Sequence, residues 1–383
     1  MKTLYTNANI YDSDIKEFIP GELCVEDGMI SYVAGGLFAT DHSDVEAIDL
    51  EGAYLVPGLV DVHSHGRAFG DFTSANKDMI GKMIESYVVS GVTSVMPTLA
   101  TAPIDELFAA IDRIGDYDGE LASAILGIHL EGRYLNPKFK GAHAEWLLAK
   151  PDAVEIGELV GKMNKVGHAH VSAALELDVD GEFLRSALIN GATVGLAHTG
   201  ATYAEAQGAF ECGATSLTHT FNAMTPIHHR DGGVIAAALN NDEIYCELIA
   251  DGFHIAPQVV KLLYNMKGDR TVLVTDSMEA TGCPDGEYSI AGLPVTVKDG
   301  KARTHEGAIA GSTLSLIDGV KNLASFADIR FEDALYCATA SPAMMIGAFE
   351  SVGSLDVGKR ANMLVLDQEF NVKEIILDGK RVK

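Results

Sequence analysis

Cysteine is scarce. Cys24, Cys212, Cys246, Cys283 and Cys337 are widely spread, odd in number and never spaced as Cys-x-x-Cys. A disulfide framework is therefore not expected, and the five read as free thiols of a reducing compartment. Positive charge is also in short supply, with 28 Lys and Arg against 54 Asp and Glu, a formal net charge of −26. A nucleic-acid backbone needs a basic face, and no Lys/Arg cluster occurs, so nucleic acid is not an expected partner. Anionic membrane surfaces are disfavoured on the same ground. Long hydrophobic runs are missing as well. The stretch Leu121–Leu130 is interrupted by Ser123, Gly127 and His129, far short of the ~20 residues that span a bilayer. The opening Met1-Lys-Thr-Leu-Tyr-Thr-Asn-Ala-Asn9 carries no apolar h-region, so no signal peptide is expected and the cytoplasm is the expected compartment. A small anionic substrate stays open, because it needs only a few local donors.

What is present describes an ordinary globular chain. Its 383 residues are 47% hydrophobic and 21% charged, enough for one barrel-sized domain with a smaller one. The first ~50 residues are β-rich over Thr3–Tyr11 and Glu22–Val33, with Asp27-Gly28 as a hairpin turn. From Tyr54 short apolar runs alternate with helical patterns. The runs are Tyr54–Val62, Ser94–Leu99, Ala124–Leu130, His170–Leu175, Thr193–Ala197, Ser216–Phe221, Tyr245–Ile249 and Thr271–Thr275. Helical periodicity fills Lys77–Ser90, Ile104–Ile114, Asp152–Val166, Gly181–Asn190 and Tyr203–Cys212. Eight buried strands separated by helices predict an α/β protein, a (β/α)8 TIM-like barrel. A doubly wound open sheet is the weaker alternative, since no Gly-x-Gly-x-x-Gly follows a strand. Gly286–Thr304 reads as a hairpin-like insertion with turns at Ala291-Gly292 and Asp299-Gly300. Helical stretches over Leu314–Ala327 and Phe331–Cys337 follow, and the tail is β again. The predicted organisation is a small β-sandwich from residues 1–53 and 355–383 flanking a barrel over 54–354.

Barrel chemistry sits at the C-terminal strand ends, so the residues closing each run matter most. The first closes with His63-Ser-His65, whose i, i+2 spacing points both rings the same way. The third closes with His129-Leu-Glu131, the fifth with His198, the sixth with His219 and the eighth with Asp276. Each alone has a plain structural explanation, and for His129 that reading is preferred, Glu131 being the better ligand. Together they describe imidazoles and carboxylates converging on one axis. Such a set suits a catalytic divalent metal, zinc as first choice with iron or manganese as alternatives. Asn222-Ala-Met-Thr-Pro-Ile-His228-His229-Arg230 is rich in donors and reads equally well as a solvated loop. His143 and His254 are similarly open. Neither a Gly-x-Ser-x-Gly elbow nor a Walker loop occurs.

These residues carry a resemblance. Pro57-Gly-Leu-Val-Asp-Val-His63-Ser-His65-Gly resembles the opening of the amidohydrolase superfamily. His129-Leu-Glu131-Gly, Asn136-Pro-Lys-Phe-Lys-Gly-Ala-His143, His198-x-x-Ala-Thr-Tyr, Thr218-His219-x-x-Asn222-Ala-Met, His228-His229-Arg230, Ile249-Ala-Asp-Gly-x-His254 and Val274-Thr-Asp276 together resemble the N-acetylglucosamine-6-phosphate deacetylase family within it. The resemblance implies hydrolysis of N-acetylglucosamine 6-phosphate to glucosamine 6-phosphate and acetate, by metal-activated water, in a homodimer or tetramer. It implies one or two ions per subunit, with Glu131, His198 and His219 holding the main one and His63 and His65 a second. Asp276 would be general base and then acid. His143 would contact the substrate near its carbonyl. Asn222, the Ala223 backbone, His254 and Arg230 would hold sugar and phosphate, Arg230 in its own or a neighbouring subunit's site. Two departures alter the rim: Arg133-Tyr134 stands where the family usually has Pro after Glu-Gly, and Gly200 where it usually has Asn or Asp. A cyclic amidase of the dihydroorotase or hydantoinase kind is the enzymatic alternative. It is disfavoured because no Lys ends the third, fourth or fifth run. An inactive scaffold is the other alternative, and the retained ligand set speaks against it.

Overall fold

The structure is a computed structural model that describes residues 2–35 and 45–382; Met1, residues 36–44 and Lys383 of the expected small domain lie outside the described residues. Eight strands form the central sheet: Leu59–Ser64 (β1), Val92–Leu99 (β2), Gly127–Glu131 (β3), His168–Ala173 (β4), Ala192–Leu196 (β5), Ser216–Leu217 (β6), Tyr245–Leu248 (β7) and Thr271–Leu273 (β8). Each pairs in parallel with the next in sequence order. Beyond β8 the chain returns to β1: the Asp276 N–H donates to the His63 carbonyl at 2.9 Å and the His65 N–H to the Ser277 carbonyl at 2.9 Å. Thr275 Oγ1 adds a bond to Asp61 Oδ2 at 2.6 Å. The sheet is thereby a nearly closed (β/α)8 barrel, as the alternating pattern predicts.

The helices form where apolar spacing and caps coincide. Lys77–Val89 (α1) begins at Asn76, whose side chain accepts from the Met79 N–H. It buries Ile80, Met83, Ile84, Tyr87 and Val88, an i, i+3, i+4, i+7, i+8 stripe facing the barrel. Tyr203–Glu211 (α2) starts with a full capping box between Thr202 and Glu205. These stripes merge with the outward faces of the strands into one core that includes Leu130, Val171, Val194 and Leu273.

The first apolar run divides. Tyr54–Pro57 belongs to a different sheet, and the barrel begins only at Leu59. The break falls at Gly58, where a Cβ would lie 1.9 Å from Thr93 Oγ1, so the chain passes too close to β2 for any other residue. Tyr54–Pro57 joins Lys2–Asp12 on one side and Met363–Leu366 on the other, in a continuous eight-stranded sheet that also holds Val372–Leu377 and Lys380–Arg381. The N- and C-terminal segments therefore do come together, over their own core of Leu23, Ile30, Leu55, Met363 and Ile376. The turn at Asp27-Gly28 has both residues at positive φ, 49° and 84°, and connects Glu26 to Met29 across a two-residue hairpin. The insertion after β8 is a three-stranded meander, Gly286–Ile290, Leu293–Lys298 and Lys301–Thr304, turning where predicted. Among the described residues no helix is long and apolar enough to cross a membrane.

Candidate metal centre

The strand ends converge at one mouth of the barrel. His63 and His65 leave β1 on the same side, Glu131 ends β3, and His198, His219 and Asp276 follow β5, β6 and β8 within a few residues. Those last three have φ of 44°, 28° and 48°. Positive φ is costly for a residue with a Cβ and persists where the surroundings over-determine it. Here it turns each side chain off its strand and toward the axis.

Two groups result, Glu131–His198–His219 and His63–His65–Asp276, each with ligand atoms within 4.8 Å of one another. Glu131 bridges them. Its Oε1 lies 2.8 Å from His219 Nε2 and 3.3 Å from His198 Nε2, and its Oε2 lies 2.9 Å from His65 Nε2 and 3.2 Å from His63 Nε2. Asp276 Oδ1 stands 3.4 Å from His65 and 3.7 Å from His63. His198 Nε2 and His219 Nε2 face each other at 3.1 Å, close enough to share one proton or one cation. The far side of His198 fixes its tautomer: Nδ1 donates to the Phe139 carbonyl at 2.7 Å, so Nε2 carries the free lone pair. Burial raises the Glu131 carboxyl, but the surrounding imidazoles outweigh it and hold the group well below its ordinary value. A buried carboxylate ringed by Nε2 atoms is the donor set of a divalent cation, and these residues fit one.

The sequence profile of the amidohydrolase family matches residues 54–382. The chain belongs to the amidohydrolase family. This amidohydrolase is 33% identical over 360 residues to the N-acetylgalactosamine-6-phosphate deacetylase of Escherichia coli O157:H7, covering 93% of this chain and 95% of that protein. It is 35% identical over 346 residues to the N-acetylglucosamine-6-phosphate deacetylase of Vibrio furnissii, covering 89% and 85%. Its fold superposes with a TM-score of 0.91 and 30% identity on a variant of the N-acetyl-D-glucosamine-6-phosphate deacetylase of Mycobacterium smegmatis, solved in complex with N-acetyl-D-glucosamine-6-phosphate, over 100% of this chain and 99% of that one.

Above the amidohydrolase centre lies a cavity of about 410 Å³. His143, Asn222, Ala223 and His254 line it together with His65, Glu131, His198, His219 and Asp276. Asn222 is tied by its side-chain amide to the His219 carbonyl at 3.1 Å, and His254 Nδ1 to Asp251 Oδ2 at 2.7 Å. His143 is buried beside the metal groups. Burial and the neighbouring His198 hold its imidazole well below the ordinary histidine value, so it stays neutral. Arg230 is not among the lining residues. It is exposed, with Nη1 2.9 Å from His229 Nε2. His129 sits behind the site, its Nδ1 3.2 Å from Thr98 Oγ1 and its Nε2 2.8 Å from Ser172 Oγ, a satisfied core histidine.

Both departures from the family pattern have local explanations. Arg133 Nε pairs with Glu155 Oε1 at 3.0 Å, and the Tyr134 hydroxyl donates to the same oxygen at 2.6 Å, which ties that loop to the outer helical layer. At Gly200 a Cβ would lie 2.7 Å from the Phe139 ring, so the missing side chain admits a ring that forms part of the cavity wall. Sequence reasoning missed two residues. Lys138 is, among the described residues, the only Lys or Arg lining the cavity. Glu247, fully buried on β7, accepts from His63 Nδ1 at 2.9 Å and from the His219 N–H at 3.1 Å. Its signal was a lone charge inside the apolar run Tyr245-Cys-Glu-Leu-Ile249.

Proposed function

We propose that this amidohydrolase removes the acetyl group of N-acetylglucosamine 6-phosphate, giving glucosamine 6-phosphate and acetate. The convergence of six side chains able to hold a metal, five of them lining one cavity, carries the reading, in a chain whose relatives are named for deacetylating amino-sugar phosphates. Glu131, His198 and His219 would hold the main ion, and His63 and His65, with Asp276 alongside, a second. Zinc suits this mixture of imidazole and carboxylate best, and iron or manganese would also fit. When bound, the metal supplies a Lewis acid for the amide carbonyl and brings the pKa of water down toward ~7.

The chain's own residues supply the rest. Asp276 accepts a proton from the attacking water and returns it to the nitrogen as the C–N bond breaks, acting as base and then as acid. Its place between His65 and the cavity supports this role. Thr101 Oγ1 already accepts the Arg133 N–H at 3.1 Å, so its hydroxyl proton is free to go to His143 Nδ1 at 2.8 Å. His143 then presents Nε2–H to the carbonyl oxygen, where negative charge develops. Asn222, the Ala223 backbone and His254 would hold the sugar. Arg230, exposed and off its own cavity wall, suits the phosphate of a neighbouring subunit's site in a homodimer or tetramer. A cytoplasmic setting agrees with free thiols and a phosphorylated substrate.

The 33% identity to a galactosamine-type enzyme favours the 4-epimer as a second reading. Acetate release from both 6-phosphates and from unphosphorylated N-acetylglucosamine decides. The expected order of kcat/KM is gluco-6-phosphate, then galacto-6-phosphate, then free sugar. A faster galacto-epimer would move the assignment to the second reading, and no acetate from any of the three would overturn both.

A further inference from the structure

Glu247 lies below the metal groups and touches neither the cavity nor any reacting atom. It is wholly buried. One of its oxygens does two things. Oε2 accepts Nδ1–H of His63 at 2.9 Å, which leaves the Nε2 lone pair of that ring aimed at Glu131 and Asp276. The same oxygen accepts the backbone N–H of His219 at 3.1 Å, the residue whose φ is 28°. One donor from each ligand group is thus held by a single atom. The other oxygen, Oε1, has no hydrogen-bond partner among the described residues. It faces His170 Nε2 at 3.9 Å, itself without a partner there.

That economy is poor for a structural residue. A buried carboxylate is destabilising unless its charge is compensated, and a half-satisfied one is less favourable than an apolar side chain of the same size. The His63 ring that faces it also faces Glu131 and Asp276, so one imidazole stands among three carboxylates.

We propose that Glu247 is a positioning residue of the metal centre, which sets the His63 tautomer and the His219 backbone and so tunes how tightly both groups bind metal. This rests on the metal-dependent reading above. Outer carboxylates that hold a ligating imidazole typically contribute 10–100-fold to metal affinity.

The test uses the full chain with Glu247→Gln and Glu247→Leu. Metal-free protein is first melted by circular dichroism, and zinc affinity and stoichiometry are then measured by competition with a chromophoric chelator. Glu247→Gln keeps one oxygen acceptor but replaces the charge-assisted bonds from the His63 Nδ1–H and the His219 N–H by weaker neutral ones, so the hold on both is loosened without emptying the pocket. Its expected result is an unchanged melt with zinc affinity about tenfold weaker. Glu247→Leu removes both bonds, and its expected loss approaches a hundredfold. Wild-type zinc affinity and stoichiometry in Glu247→Gln would overturn the proposal, whether or not the Leu variant folds. Failure of the metal reading shows differently, as a wild-type chain that takes up no zinc.

Discussion

His63 and His65 illustrate how far a single residue can be read. Their i, i+2 spacing at the end of an apolar run fixes them on one side of a strand before any coordinates exist. Glu131, His198, His219 and Asp276 are legible in the same way, each as a polar residue closing a run. Glu247 is not, because its role depends on which ring of another strand it meets. Arg230 shows the opposite limit: a donor in a promising motif, yet exposed and off the cavity wall. The sharpest residue-scale prediction concerns Asp276. Replacing its carboxylate by an amide, Asp276→Asn, preserves shape but removes a group able to take and return a proton. The expected outcome is a kcat for acetate release lower by about 10²–10⁴-fold with zinc content and melting temperature near wild type. A near-normal kcat would remove Asp276 from proton transfer.

Elements were legible wherever periodicity and punctuation agree. The runs that became β2, β3, β5 and β7 stand within a few residues of their predicted bounds, and α1 begins at the Asn76 cap. Boundaries failed where tertiary contact overrode local pattern. Tyr54–Val62 reads as one strand although Pro57-Gly58 marks a break within it, and the reason for that glycine is the approach of Thr93 from elsewhere in the chain. Ser216–Phe221 shortens to Ser216–Leu217 because the backbone must turn at His219 to present its ring. Strand register gives a direct check at this scale. Gly127 opens β3 opposite His168, where an added Cβ would lie 1.9 Å from the His168 carbonyl oxygen and 2.5 Å from its nitrogen. Backbone against backbone has no flexible end to yield. Gly127→Ala should therefore cost about 2–3 kcal/mol of unfolding free energy in urea, as overpacking does. Unchanged stability would mean that β3 and β4 do not pair in this register.

At the scale of the whole molecule, the two terminal segments close over one core and leave the barrel mouth to the strand ends and the meander, whose Ile290 lines the cavity. A chain of net charge −26 must reverse its field locally to admit an anionic sugar phosphate. On the proposed reading a bound metal, Lys138 and His254 would do this within one chain, and Arg230 across a subunit boundary. The sequence could carry the barrel and the ligand set but not this division, since an exposed arginine looks the same whether it faces solvent or a second copy. Everything turns on the cation. The most direct measurement is acetate release from N-acetylglucosamine 6-phosphate by the purified full chain, before chelation, after exhaustive chelation, and after zinc is returned. The expected result is turnover, then its loss, then recovery, with zinc bound at one or two ions per chain. Turnover that survives complete removal of metal would contradict it.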